Sequence, residues 1–480
     1  MLLLASLLIL AGILVTKIGS KLGAPSLLLF LILGMAAGAD GLGFVFEHYE
    51  TAEAIGHFAM SVILFTAGME TRWDETRPIF KQSLALSILG VLLTMLLTGV
   101  FIYFVLGKLI GGVASTLLGC LLIGAIVSST DSTSVFSILH GKRLHLRENL
   151  GPMLELESGS NDPMANILTI VLVGAFSVTS PSGVWPAVGN GLLTFFLQLA
   201  VGFAVGIGIG YAGKWLMEHI HLDNSSLYAI LILSVCFIAN SLSDLLHGNG
   251  LLAVYVAALF IGNKAKLEYR RDVLKFFDGI TWMMQLVMFL MLGLLARPSS
   301  MLQVLLPAVL IGLFLLVVAR PASVFLCLWP FRGTSAKAKT LVSWVGMKGA
   351  GPILCALFPV VAGLEGASDI FNIVFLISLV SLVLQGFSFP PLAKALNLSY
   401  DADPDVDTLG IDIPEEMGML RDHIVTEDDL ASGDTIHDLN LPHGIHVVMV
   451  SRDGQFLVPH GSMKLQVGDK LVIILGDSDD

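Results

Sequence analysis

Charge is what this sequence has least of. Only 13% of its 480 residues are Asp, Glu, Lys or Arg, against 55% hydrophobic. A chain so composed cannot hide its apolar side chains in a water-soluble core, so the bilayer must be its main solvent. Basic residues form no stripe away from the ends of the apolar runs, which excludes a nucleic-acid partner. The four cysteines, Cys120, Cys236, Cys327 and Cys355, lie in apolar runs without metal-ligand spacing, so neither disulfides nor zinc are expected. Most histidines sit in loops or in the tail without i,i+4 spacing, and no transition-metal site or cofactor is expected from them. The C-terminal tail has no G-x-G-x-x-G, which removes the dinucleotide-binding half-fold. The run GIGYAGKW at 208–215 has phosphate-loop spacing, but Trp215 replaces the required Ser/Thr and the glycines suit close helix packing.

What charge there is falls unevenly. Residues 401–480 hold 18 Asp/Glu and 4 Lys/Arg, so the formal charge of -12 belongs to the tail. Lys17 and Lys21 follow the first apolar stretch where a secretory signal would place them before it. That segment therefore reads as a retained helix with its start outside.

Apolar runs of about 20 residues mark thirteen candidate spans, near 2–20, 24–40, 54–70, 80–106, 111–140, 148–178, 184–216, 225–246, 248–263, 275–296, 302–330, 337–362 and 369–396. With the first residue outside, the inside loops collect 18 Lys/Arg, among them Arg72, Arg77, Lys81, Arg270 and Arg271, while only Lys108 and Arg297 fall outside. Such asymmetry is what correctly placed spans give. Thirteen divides as six, one and six, with the two sixes oppositely oriented, the arithmetic of an inverted repeat. Span 5 contains the polar run SSTDSTS at 128–134, and its counterpart, span 12, contains GMKGAGP at 346–352. Paired broken helices point to a substrate site near the bilayer midplane. The expected fold is thus an all-α polytopic membrane protein, about 13 helices in a six-helix inverted repeat with two broken helices, over residues 1–400. An acidic linker at 401–416 leads to a small cytoplasmic α+β domain at 417–480, in which HVVMV, QFLVP and KLVIIL read as strands and Asp453-Gly454 as a hairpin turn.

Ionisable side chains within a bilayer are costly enough that each needs a reason. Span 6 carries Glu155, Glu157 and Asp162, with Asn161 four residues after Glu157 and so on its helical face. Span 5 adds Thr130 and Asp131; spans 11 and 12 add Arg320 and Lys348. If the two cations neutralise Glu157 and Asp131, Asp162 is left over. A carboxylate without a cation in a partly dehydrated cavity can hold either a proton or a metal cation, but not both. Alkali cations prefer oxygen ligands, which Asn161, Ser158, Thr130 and the carbonyls of the unwound span supply.

The combination of STD in a broken helix, E-S-x-x-N-D-P in the next, Ala319-Arg320 and a G-hydrophobic-(Arg/Lys)-G-A break resembles the NhaP-type cation/proton antiporters. The stretches IGAIVSSTD, LESGSNDPMA, GLLAVYVAALFIGN and SWVGMKGAGPI carry the likeness. It is closest to the cell-volume-regulating potassium/proton branch with a cytoplasmic TrkA-C (RCK C-terminal) module. The resemblance implies an NhaA-like fold and a homodimer in a bacterial inner membrane. It implies that Asp162 binds ion and proton, with Asn161, Thr130, Ser158 and a water-bridged Asp131 around it, and that Glu157 pairs with Arg320. Lys348 stands where the family more often has Arg, compensating charge at the second break, and Ser132 where many relatives have Pro.

Two other classes fit less well. An intramembrane aspartyl protease wants a G-x-G-D segment and a serine protease a G-x-S-G, and Leu156 and the lack of a Gly-Asp pair within a span exclude both. A tail-gated channel would need a carbonyl filter such as T-V-G-Y-G. The expected function is alternating-access exchange of K+, or alternatively Na+, for H+, without enzymatic activity. Asn161 beside Asp162 leaves one titrating carboxylate and implies electroneutral stoichiometry. The tail is expected to take a cytoplasmic small molecule.

Overall fold

The computed structural model describes residues 2–22, 25–106, 110–141, 144–177, 184–222, 224–265, 269–331, 333–401, 420–425, 430, 433–439, 445–452 and 455–475. The chain forms two compact units, Met1–Tyr400 and Asp401–Asp480.

The first unit is a multi-pass helical membrane protein. Among the described residues seven helices are long and apolar enough to cross a bilayer: Tyr49–Glu70, Trp73–Leu106, Gly189–His219, Ser226–Leu245, Arg270–Leu295, Pro298–Leu328 and Ala367–Ala395. Shorter apolar helices, among them Ser26–Ala37, Leu117–Ile126, Gly250–Lys264 and Ala350–Val361, accompany them. The 28-residue helix Leu150–Ser177 is longer than three of the seven; its lower hydropathy comes from the run ELESGSND that it carries. Several helices extend beyond the apolar runs, as where Tyr49–Glu70 begins with Glu50 and Glu53, because backbone hydrogen bonding continues past the hydrocarbon boundary.

Helices close on one another where glycine replaces a side chain. A Cβ on Gly34 would lie 2.9 Å from the Cα of Gly293, so Ser26–Ala37 and Arg270–Leu295 cross backbone to backbone. A Cβ on Gly124 would lie 3.1 Å from the amide nitrogen of Gly99, bringing Leu117–Ile126 equally close to Trp73–Leu106. Leu31, Ile123, Leu292, Ile353 and Phe375 belong to the largest buried cluster among the described residues, in which these crossings lie.

Two helices are interrupted where the polar runs fall. Leu117–Ile126 ends and Ser132–Gly141 begins across the first; Ala336–Trp344 ends and Ala350–Cys355 begins across the second. The spanning helix that precedes each broken one, Trp73–Leu106 or Pro298–Leu328, carries a π turn, Leu86–Gly90 in the first and Leu315–Ala319 in the second, and Thr94 and Ser323 join these helices through their hydroxyls at 3.0 Å. The second π turn ends immediately before Arg320. Such turns sit mostly at functional sites.

The second unit is an antiparallel four-stranded sheet in the spatial order Leu420–Ile424, Lys470–Leu475, Ile445–Arg452, Gln455–Leu457. Three of these strands follow the apolar runs read from the sequence. The fourth, LRDHI, has Arg421, Asp422 and His423 in a row between its two apolar ends and was not among them. The Arg452↔Gln455 pairing brackets Asp453-Gly454; that turn and most of the acidic linker lie outside the described residues. Among the described residues only a 3-10 turn, Ile436–Leu439, accompanies the strands. Buried Asp469 takes both nitrogens of the Arg452 fork, at 2.8 and 2.6 Å, and the Gln466 N–H at 2.8 Å. The guanidinium beside it holds its carboxyl below the usual aspartate range.

Candidate ion-binding site

Breaking a helix inside a membrane frees backbone N–H and C=O groups that must find partners. At these breaks many of them do, and several of the partners are residues singled out from the sequence. The N–H of Asp131 donates to the carbonyl of Met347 at 2.8 Å, joining the two breaks. The buried ammonium of Lys348 donates to the carbonyls of Ser129 at 2.7 Å and Ser128 at 3.4 Å, at the negative end of Leu117–Ile126. Its own N–H donates to the Ser381 hydroxyl at 2.9 Å, and the Gln385 amide donates to the carbonyl of Trp344 at 2.5 Å.

Thr130 is held on three sides by the helix Leu150–Ser177. Ser158 donates its hydroxyl to the Thr130 carbonyl at 2.6 Å, Asn161 donates its amide to the Thr130 hydroxyl at 2.6 Å, and the Thr130 N–H donates to Asn161 Oδ1 at 3.3 Å. The i,i+3 spacing of Ser158 and Asn161 sets both on one face for this purpose. Asp131 has a separate task. Its Oδ1 accepts the N–H groups of Thr133 at 2.9 Å and Ser134 at 3.3 Å, and its Oδ2 accepts the Ser134 hydroxyl at 2.6 Å. It therefore caps the helix Ser132–Gly141.

Asp162 lines a cavity of about 30 Å³, room for roughly one water or one bare ion. Asp131, Thr133, Ser158 and Gln285 give the cavity its polar atoms; Leu64, Met288 and Phe289 are part of its apolar wall. Asp162 lies at the N-terminal end of Ala350–Cys355, where a Cβ on Gly351 would come 3.1 Å from its Oδ1. The positive end of a half-helix thus faces each of the two aspartates, Asp162 here and Asp131 at its cap. Among the described residues no lysine or arginine forms an ion pair with either.

Glu157 and Arg320 lie apart from this cavity and pair with each other at 2.5 Å, Glu157 1% and Arg320 4% exposed. The structure therefore separates the candidates into three groups. Asp162, Asp131 and Ser158 line the cavity, Thr130 and Asn161 brace the first break, and Glu157, Arg320 and Lys348 supply charge behind it. Gln285 and Thr133 were not singled out from the sequence. Gln285 is 5% exposed and is the lone polar residue of the run WMMQLVMF, a signal of the same kind as the others. Thr133 gave none, because it is one hydroxyl among six in SSTDSTS.

Comparison with known proteins agrees with this arrangement. A model of the transmembrane sodium/hydrogen exchanger family matches residues 5–395, and a TrkA-C domain model matches residues 420–479. The K(+)/H(+) antiporter NhaP2 of Shewanella sp. (strain ANA-3) is 36% identical over 477 residues, covering 98% of this chain and 80% of that protein. The K(+)/H(+) antiporter NhaP of Alkalimonas amylolytica is 36% identical over 486 residues, 97% of this chain and 79% of the relative. The solved structure of the sodium proton antiporter MjNhaP1 from Methanocaldococcus jannaschii at pH 8 superposes with a TM-score of 0.69 at 22% identity, over 82% of this chain and 97% of that one. With broken helices crossing beside an aspartate-lined cavity and matches along nearly its whole length, the chain belongs to the transmembrane sodium/hydrogen exchanger family and carries a TrkA-C domain.

Proposed function

We propose that the chain is a secondary transporter, not an enzyme, that exchanges cytoplasmic K+ for H+ through competition at Asp162. The observation that carries this reading is the cavity, in which the Asp162 carboxylate has no ion-pair cation among the described residues and faces space for one small ion. A deprotonated Asp162 attracts a dehydrated cation to the oxygens around it; a proton neutralises the same group and releases the ion. Alternation of the cavity between the two membrane sides then couples the fluxes with no further device. One titrating carboxylate, with Asn161 beside it, gives one proton per cation and electroneutral exchange. Ser158 and Asp131 ligate the ion, directly or through water, and Thr130 and Asn161 hold the unwound segment that presents them. No cofactor enters the cycle; the transported ions are its only small ligands.

Thirteen spans in two inverted six-helix repeats are the architecture this scheme uses. Residues 1–400 are the transport domain and 401–416 the linker. Residues 417–480 are a cytoplasmic module that senses a small molecule, in a homodimer within the bacterial inner membrane and with the N-terminus outside. Potassium is favoured by the names of the relatives at 36% identity, both K(+)/H(+) antiporters. Sodium is the second reading, favoured by the name of the protein with the similar fold. Purified protein in vesicles carrying a pH gradient, challenged in turn with lithium, sodium, potassium and rubidium salts, tests both. Potassium should dissipate the gradient most strongly. A sodium-only response would select the second reading, and no response to any of the four would overturn antiport.

A further inference from the structure

The cavity that holds Asp162 has walls of two kinds. Asp131, Thr133, Ser158 and Asp162 come from the helices Ser132–Gly141 and Leu150–Ser177, and Asp131 and Ser158 already use their oxygens to hold the first break together. The helices Tyr49–Glu70 and Arg270–Leu295 build another wall, with Ile63, Leu64, Met288 and Phe289. Among the described residues Gln285 is the single polar side chain that these two helices bring to the cavity.

Gln285 is 5% exposed, and its amide opens onto the cavity with no hydrogen-bond partner among the described residues. The ordinary reason for a polar residue in a membrane helix is a hydrogen bond to the neighbouring helix. Here that task falls to Thr281, one turn earlier on the same face, whose hydroxyl pairs with that of Thr66 at 2.8 Å and ties Arg270–Leu295 to Tyr49–Glu70. The amide therefore does not serve to join the helices. Buried among apolar side chains, it costs stability that a methionine of similar length would not. An amide is nevertheless well suited to a cation, because its carbonyl oxygen is a hard ligand that carries no charge and takes no proton. It can add to the ion's shell and leave titration to Asp162.

We propose that Gln285 Oε1 is a ligand of the transported cation and a determinant of which alkali ion the cavity prefers. The inference rests on the exchange reading given above. Asp162 supplies charge from one helix and Gln285 an oxygen from another, so their separation sets the span that the ion has to fill. Discrimination among alkali ions depends on such spacing and on the number of oxygens.

The test is Gln285→Met in the full chain, in vesicles with an imposed pH gradient and lithium, sodium, potassium and rubidium salts in turn. Because no hydrogen bond within the protein is lost, the melting temperature should hold or rise. The KM for the preferred cation should rise about tenfold, the effect of one contact to a charge. The kcat should change less, as expected when binding alone is weakened, and the ratio of the KM values for potassium and sodium should change. Gln285→Glu keeps an oxygen at the same reach and should bind the cation no more weakly than the native protein. An unchanged KM in folded Gln285→Met would overturn the proposal, as would a KM raised equally for all four ions or a KM raised about tenfold in Gln285→Glu. Native protein run alongside separates this from the exchange reading: if it exchanges none of the four ions, both fall, whereas native exchange with an unchanged KM in Gln285→Met removes only the role of Gln285.

Discussion

Asp131 and Met347 are joined by a 2.8 Å hydrogen bond between their backbones, so the two broken helices meet at their breaks. One residue further on, Lys348 reaches back across the same junction to the Ser129 carbonyl. The lysine thereby replaces the hydrogen bonds that an unbroken helix would have supplied, and its charge stands at the negative end of Leu117–Ile126.

Lys348→Met should therefore lower stability, because it keeps the bulk but strands the carbonyls of Ser128 and Ser129. The expected loss is about 1–3 kcal/mol for each acceptor left unsatisfied. Thermal melts of the purified protein in detergent measure it; an unchanged melting temperature would show that water substitutes for the ammonium.

Arg320→Ala should cost more, about 3–5 kcal/mol, since it leaves Glu157 as a buried charge without its partner. Adding Glu157→Ala removes the stranded charge and should recover part of the loss. A double variant no more stable than Arg320→Ala would mean that the guanidinium acts chiefly through packing.

The multi-pass helical character was legible in the sequence, because apolar length and alternate-loop charge are properties of composition and order, while the pair Arg320–Glu157 came from the family resemblance. The broken helices were legible from SSTDSTS and GMKGAGP, since polar runs cannot stay helical in hydrocarbon without partners. What the sequence could not convey is which partner each charge takes. Counting ions suggests a carboxylate for Lys348, whereas its acceptors are backbone carbonyls, invisible in any list of side chains. Asp131 is likewise a helix cap because of where the chain restarts, at Ser132. The strand Leu420–Ile424 was missed because three consecutive polar residues, Arg421, Asp422 and His423, leave it no apolar run, and its pairing with Lys470–Leu475 spans about fifty residues of sequence.

In the tail, the Arg452–Asp469 pair should make the sheet resistant to mild acid. Asp469 titrates below its usual value of 3.8 in the folded state. Its contribution is thus fully present above that value and is lost as pH falls through the lower, folded one. Amide-hydrogen exchange of the full chain should show Lys470–Leu475 protected from pH 7 down to about pH 4, with protection falling below it. Asp469→Asn should reduce protection already at neutral pH; equal protection in the variant would contradict the assignment.

Removal of residues 401–480 should leave exchange intact, because every residue assigned to the ion lies before them. The pH profile or the response to a cytoplasmic small molecule should shift, since a sensor acts by binding the two access states unequally. Vesicles carrying full-length and truncated protein side by side decide this. Complete loss of exchange in a well-folded truncation would make the tail part of the transport machinery.

The central claim is that one carboxylate takes cation and proton in turn, and Asp162→Asn tests it most directly. The amide keeps the shape of the side chain but neither titrates nor neutralises a cation. In vesicles with an imposed pH gradient, the folded variant should show no proton movement on addition of potassium or sodium, while the native protein responds. Cation-dependent proton movement that persists in Asp162→Asn would contradict the account.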